Sequence, residues 1–171
     1  DEGTTASDEA TASVALTDAA PSATVVKDSD PGTVTEPGGS VSFTVTIDNE
    51  GPEPLTIAAL ADSVFGNLLD AGNPAVSANT CVALPPQVSA GGWVACWFDA
   101  DLVGLSGDPD HVDTVTATLR DDEGTTITPS DNAVVAFAPA GSTIGGLVFA
   151  DLDRDRIKDA AESGLGGVRV S

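Results

Sequence analysis

SVSFTVTID, residues 40–48, alternates without a break: Val41, Phe43, Val45 and Ile47 share one face, and Ser42, Thr44 and Thr46 share the other. A period of two is that of a half-buried β-strand, and β-branched and aromatic residues suit a pleated surface packed on one side. Residues 112–121, VDTVTATLRD, repeat the pattern, with Val115, Ala117 and Leu119 facing inward and Thr114, Thr116 and Thr118 outward. Working outward from these two, SATVVKD (22–28), PLTIAALAD (54–62), AVSANTCVAL (75–84), GWVACWFDA (92–100) and NAVVAFA (132–138) read as further strands, separated by Gly, Pro and Asn. Seven or so short strands at this spacing predict an all-β chain, an antiparallel β-sandwich of immunoglobulin type with partial β modules on either side. A β-barrel is the alternative.

The composition narrows the function classes. The chain has 171 residues, with 6 Lys and Arg against 27 Asp and Glu and a formal net charge of −21. Such a surface repels phosphate backbones and anionic lipid, so no nucleic-acid partner is expected, and it attracts cations. No stretch approaches the roughly 20 apolar residues that span a bilayer, so no membrane insertion of this segment is expected. The acidity suits high salt or calcium-rich surroundings.

Organisation comes from an internal repeat. DEGTT opens the chain and recurs at 122–126, and the same offset pairs Ala12 with Ala133, Val14 with Val135 and Leu16 with Phe137. Long-period self-similarity signals tandem modules. Residues 1–20 therefore read as the closing strand of a preceding module, 21–139 as one complete sandwich, and 140–171 as the truncated start of another β domain. This is the expectation for an interior piece of a longer secreted chain.

Cys81 and Cys96 fall on adjacent predicted strands. Their union would close a loop of about 15 residues, worth roughly 3 kcal/mol in the chain-entropy model, and implies an oxidising, extracellular compartment. Two buried free thiols are the alternative. A structural zinc site wants four ligands, and two Cys with one His do not supply them.

The blocks PGGSVSFTVTIDNEG, LADSVFGNL, NTCVALPPQVSAGGWVACWF and VDTVTATLRDDEGTTITPSDNAVV, in that order, make the middle module resemble the immunoglobulin-like conserved-repeat modules found in tandem in bacterial and archaeal envelope proteins, over about residues 22–138. From residue 140, GSTIGGLVFADLDRDRIKDAAESGLGGVRVS is similar to the opening of the B-type repeats of serine-aspartate-repeat adhesins, with Gly164, Gly167 and Val168 in the turn that enters the next strand. The resemblance implies structural spacers of large surface proteins, with no catalytic site to carry over.

No enzyme is expected. His111 stands without a partnered nucleophile and reads as a turn residue before a strand. Asp108, Asp110 and Asp113 around it read as turn acids on a solvated loop, with a weak cation site as the alternative. Trp93 and Trp97 share one strand parity, and Cys96 and Phe98 the other. One of these faces belongs to the core, while the first pair would be needed for a glycan-binding surface. Some surface modules of this architecture weld a first-strand Lys to a last-strand Asn, which here would be Lys27 and Asn132. No core-facing acid stands out to promote that bond, and Lys27 reads as solvent-facing.

The strongest motif is DLDRDRIKDAAE, residues 151–162. A twelve-residue calcium loop takes oxygens from positions 1, 3, 5, 7, 9 and 12. That assigns the side chains of Asp151, Asp153 and Asp155, the carbonyl of Ile157, Asp159, and bidentate Glu162 to one Ca²⁺. Position 6, ordinarily Gly, is Arg156, which must accept a strained backbone or a different turn. The flanks TIGGLVFA and GLGGVRVS read as strands, which places the loop in a β setting. The expected function is a structural repeat segment of a secreted cell-surface or filament-forming protein. It would be a calcium-stiffened spacer whose partners are neighbouring modules or copies of itself, with assembly by β-strand complementation. The alternative is an adhesin module that binds glycan or host protein.

Overall fold

The computed structural model describes residues 2–15, 17–141 and 146–167. The chain divides into two compact units, Asp1–Pro139 and Ala140–Ser171. Ten strands form in the first unit: β1 (Ala23–Asp30), β2 (Thr33–Thr35), β3 (Gly38–Asn49), β4 (Leu55–Asp62), β5 (Gly66–Asn67), β6 (Gln87–Val88), β7 (Trp93–Val103), β8 (His111–Arg120), β9 (Thr126–Ile127) and β10 (Ser130–Ala138). One sheet runs β1-β3-β7. The other runs β2-β10-β8-β4-β5, with β6 added to β4 and β9 to β8. All pairings are antiparallel except the parallel β2–β10 contact. The fold is the all-β sandwich that the alternation predicts.

The two sheets meet through the residues whose parity marks them as inward. Val41, Phe43, Val45 and Ile47 on β3 are buried, as are Val115, Ala117 and Leu119 on β8, with Cys96, Phe98, Ala100 and Leu102 contributed by β7. Phe43, Phe65 and Phe98 make an aromatic cluster at the centre, with ring centroids 5.4 to 5.6 Å apart. Those distances are within the range that offset and edge-on ring pairs prefer. Gly38 opens β3 at φ +126°, and a side chain there would meet the backbone of Leu102 and Val103, so glycine is required where β3 and β7 begin to pair.

One expectation needs correction. Residues 75–84 are not a strand. Ser77 makes an isolated bridge to Asp99, and Cys81–Ala83 is a single 3-10 turn. Asn79 explains the difference: its side chain accepts from the Cys81 amide and donates to the Leu68 carbonyl, holding the backbone in a turn. Residues 2–15 and 17–20, read as the closing strand of a preceding module, pair with no strand of this chain and are largely exposed. Leu16, paired above with Phe137, lies outside the described residues.

Cys81 and Cys96 are joined, with S–S 2.05 Å, and pin the irregular segment to β7. With the two 15 positions apart, replacing both by Ser is expected to lower stability by about 3 kcal/mol. In a denaturant titration this would appear as a lower midpoint and a steeper slope, because the uncross-linked unfolded chain exposes more surface.

Candidate functional site

Three clusters of ionisable side chains stand out. The first lies inside the sandwich. Lys27, on β1, shares the inward parity of Val25, and its residue is only 3% exposed. Its Nζ bonds Asp62 Oδ2 at 2.5 Å and also Asp113 Oδ2, and all three side chains are closed to solvent. Asp62 ends β4 in register with Leu60, and Asp113 on β8 continues the inward row of Val115, Ala117 and Leu119. The ammonium lies 4.5 Å from the Phe43 ring centroid and within 5.7 Å of those of Phe65 and Phe98, which face it with π density.

The two acids are held differently. Asp62 Oδ1 accepts the Val64 and Phe65 amides, each at 2.9 Å. Asp113 Oδ1 has no hydrogen-bond partner. Burial pushes the Asp113 carboxyl up, Lys27 opposes that rise, and the Asp62 charge adds to it. His111 Nε2 is 3.7 Å from Asp113 Oδ2, and the ring packs against Phe65 and Phe43.

Several expectations change here. Lys27 is not solvent-facing. Asn132 is exposed on β10, opposite Thr114, so it is not the partner of Lys27. Asp113 is a core residue rather than a turn acid, whereas Asp108 does cap a turn by accepting the Leu105 amide. His111 opens β8 and is half-buried against the aromatic cluster. Strand parity was the signal for all three buried charges. Lys27 is two residues from Val25, Asp62 two from Leu60, and Asp113 two from Val115.

The second cluster is the acidic loop of the C-terminal unit. Leu165 N donates to Val148 O at 2.7 Å and Ala150 N to Ser163 O at 3.3 Å, around an antiparallel bridge between Phe149 and Gly164. The bridge closes the ends of residues 151–162. Of the flanking segments, residues 143–145 and 168–171 lie outside the described residues, and the rest form this bridge rather than longer strands.

Ligand-capable oxygens of Asp151, Asp153 and Glu162 fall within 4.8 Å of one another, as do those of Asp153, Asp155 and Asp159. Glu162, 5% exposed, is fixed by the amides of Leu152 at 2.7 Å and Asp159 at 3.0 Å. Asp151 Oδ2 accepts the Arg156 amide, while its Oδ1 has no partner. Arg156, at the expected glycine position, has φ 68°, as does Arg154. The backbone adopts the left-handed turn without the residue that eases it. Arg154, Arg156 and Lys158 are exposed. Ile157 presents its side chain to solvent and donates its amide to Asp155 Oδ1 at 2.7 Å. The five acids are thus assembled as two overlapping groups that share Asp153.

The third cluster was not foreseen. Asp18, Asp121 and Glu123 come within 4.8 Å, and so do Glu53, Asp122 and Glu123, around the turn that follows β8. Asp121 is buried and holds the turn through the Thr125 amide. Burial and then the charges of Asp122, Asp18 and Asp121 push the Glu53 carboxyl up. The adjacent acids of DDEG were visible in sequence, but the approach of Asp18 and Glu53 to them is long-range and leaves no local pattern.

Trp93 and Trp97 lie outward on β7, 68% and 44% exposed, while Cys96 and Phe98 take the core face. No protein-family model matches the chain, and no curated protein is significantly similar to it.

Glu123 provides a pH test. Its carboxyl is pushed up to about 7, first by the side-chain hydrogen bond it shares with Asp122. A carboxyl that keeps its proton longer when folded than when unfolded makes stability fall as pH rises through that window, here from 4.5 to about 7. The group is exposed, so added salt should weaken the effect. Carbon-detected NMR titration is expected to show a Glu123 midpoint near 7, returning toward 4.5 in Asp122→Ala.

Proposed function

We propose that this chain is a structural repeat segment of a secreted cell-surface or filament-forming protein. The sandwich acts as a spacer, and the loop at 151–162 binds calcium and stiffens the unit that follows it. The observation that carries this reading is the Cys81–Cys96 disulfide in an all-β sandwich, because such bonds persist in oxidising compartments outside the cytosol. The resemblance of residues 22–138 to conserved-repeat modules of envelope proteins, and of 140–171 to B-type adhesin repeats, supports the same class. No helix among the described residues is long and apolar enough to cross a membrane.

Calcium fits the loop by its donor set. Hard carboxylate oxygens with no nitrogen or sulfur suit a hard cation that takes six to eight ligands. Carboxylates held this close repel one another unless a cation offsets them. The side chains of Asp151, Asp153, Asp155, Asp159 and Glu162 would hold the ion, with the Ile157 carbonyl at the seventh loop position. Partners are neighbouring modules or further copies of the chain. Residues 1–20 would complete the open sheet of a neighbouring copy by strand addition, as unpaired strand edges invite.

A second reading has one observation in its favour. Trp93 and Trp97, both on the outer face of β7 with Ala95 between them, are exposed aromatic residues of the kind on which sugar rings stack. In that reading the module is an adhesin for glycan or host protein. Loss of glycan binding in the Trp93→Ala/Trp97→Ala variant, at unchanged stability, would favour it.

Calorimetric titration with calcium is expected to give binding at about 10⁻⁴ to 10⁻³ M or tighter, as for extracellular calcium modules. Asp151→Ala should abolish that heat and leave the loop open to protease in millimolar calcium. A chain that shows no calcium heat, with unchanged proteolysis in the variant, overturns the calcium assignment. Strand addition is checked separately by size-exclusion chromatography. Removal of residues 1–20 should shift any assembled species to monomer, and unchanged assembly overturns that part.

A further inference from the structure

Lys27, Asp62 and Asp113 form an amine and two carboxyl groups in direct contact, shut away from water. Isolated ions are costly to bury, and a buried pair repays that cost only with good geometry and full hydrogen bonding. Here one carboxyl oxygen, Asp113 Oδ1, is left without a partner. A simple ion pair needs one acid, yet this site has two and fixes them in different ways.

We propose that Lys27 Nζ and the Asp113 side chain condense into an intramolecular amide that joins the two sheets, with Asp62 passing the protons. The reaction is written from the neutral triad: Lys27 ammonium, Asp62 carboxylate and Asp113 carboxylic acid. Asp62 Oδ2, 2.5 Å from Nζ, takes a proton and leaves a neutral amine. The Nζ lone pair adds to Asp113 Cγ, and the carbonyl π electrons move to oxygen. Asp62 then donates its proton to the departing hydroxyl and takes a second one from nitrogen. The C–O bond breaks as the carbonyl re-forms, and one water leaves. An amide N–H, an amide carbonyl and a protonated Asp62 remain. Four protons enter and four are accounted for, and no oxidant or co-reactant is needed.

Each part of the site suits its step. The Val64 and Phe65 amides fix Asp62 through Oδ1 and leave Oδ2 turned to the amine, as a proton carrier requires. Burial favours the neutral acid of Asp113, whose carboxyl carbon is a better electrophile than that of a carboxylate. Reactants held in contact at fixed orientation avoid the entropic cost of encounter. The product carries no charge, so the Phe43, Phe65 and Phe98 surroundings that disfavour the separated ions favour the amide. The second reactant is Asp113 on β8, not Asn132 on β10, so water is lost rather than ammonia.

The consequence is mechanical. Lys27 lies in the first strand, and Asp113 lies 86 positions further along the chain in the opposite sheet. With the amide in place, a pull applied ahead of β1 passes through the side chains to β8 and bypasses the residues between. The inference rests on the core geometry alone and stands whether or not the chain is a spacer.

The test is intact-mass measurement of the folded, disulfide-reduced chain, followed by proteolytic mapping. The expected mass is one water below that of the sequence, with a branched peptide joining the segments that contain Lys27 and Asp113. Asp113→Ala should show the full sequence mass. Asp62→Ala, which keeps both reactants, should also show it or lag far behind the parent. A folded parent chain at full sequence mass overturns the proposal and leaves a buried ion pair. A water loss that persists in Asp113→Ala also overturns it, because the dehydration then lies elsewhere. The parent measurement decides the question even where a variant does not fold.

Discussion

A buried ammonium between two carboxyl groups constrains the sandwich more tightly than its aliphatic contacts do. Val, Leu and Ala packed between sheets tolerate sliding and repacking at modest cost. Lys27 does not, because Asp62 and Asp113 must meet its Nζ while the Phe43, Phe65 and Phe98 rings close around it. The requirement ties β1 of one sheet to β4 and β8 of the other. A slip of one residue in any of these strands would turn a charged group out of the cluster and strand its partners in the core. The Lys27 amide adds a further tie by donating to Asp131 Oδ2 on β10 at 2.9 Å.

Charge composition makes the placement more telling. Lys27 and Arg120 are the only Lys and Arg between positions 21 and 139, in a chain of net charge −21. Surface electrostatics would gain from Lys27 outside, where it would offset neighbouring acids. It lies in the core instead, where it needs two acids to hold it. Acids crowd elsewhere: near the turn after β8, burial and neighbouring negative charge push the Glu53 carboxyl up, and the loop at 151–162 gathers five carboxylates. Both surface clusters are places where a cation would relieve repulsion.

The sequence made the long strands plain because their physical signal is local. Alternation in β3 and β8 marks every core position by parity, and the structure buries each residue so marked. The same rule placed Lys27, Asp62 and Asp113 inward. Reading charged residues as solvent-facing by type, rather than by parity, hid them. Residues 75–84 misled for the opposite reason: Val76, Cys81 and Leu84 suggest a strand, but Asn79 supplies side-chain hydrogen bonds that hold a turn. In the acidic loop the spacing of the acids and the strained backbone at Arg156 were both legible. The division into two groups sharing Asp153 was not, because it depends on how Glu162 is anchored by the Leu152 and Asp159 amides. The meeting of Asp18 and Glu53 with residues 121–123 was out of reach of any local pattern, since it is set by the register of distant strands.

The position of Lys27 within β1 bears on how such a module withstands load. β1 is an edge strand, hydrogen-bonded to β3 alone in its sheet. An edge strand that opens a sandwich is the element that tension would peel first, because each ladder hydrogen bond can break in turn. The register pairs Lys27 with Val45, near the middle of the β1–β3 ladder. A tether at that point divides the strand into a part exposed to the pull and a part that cannot move without separating the sheets. Hydrophobic burial alone resists the second event across the whole core rather than one bond at a time. The disulfide acts elsewhere, pinning residues that have no ladder of their own to β7. The two weak points of the sandwich, its edge strand and its irregular segment, are thus each held by a side-chain contact to another strand.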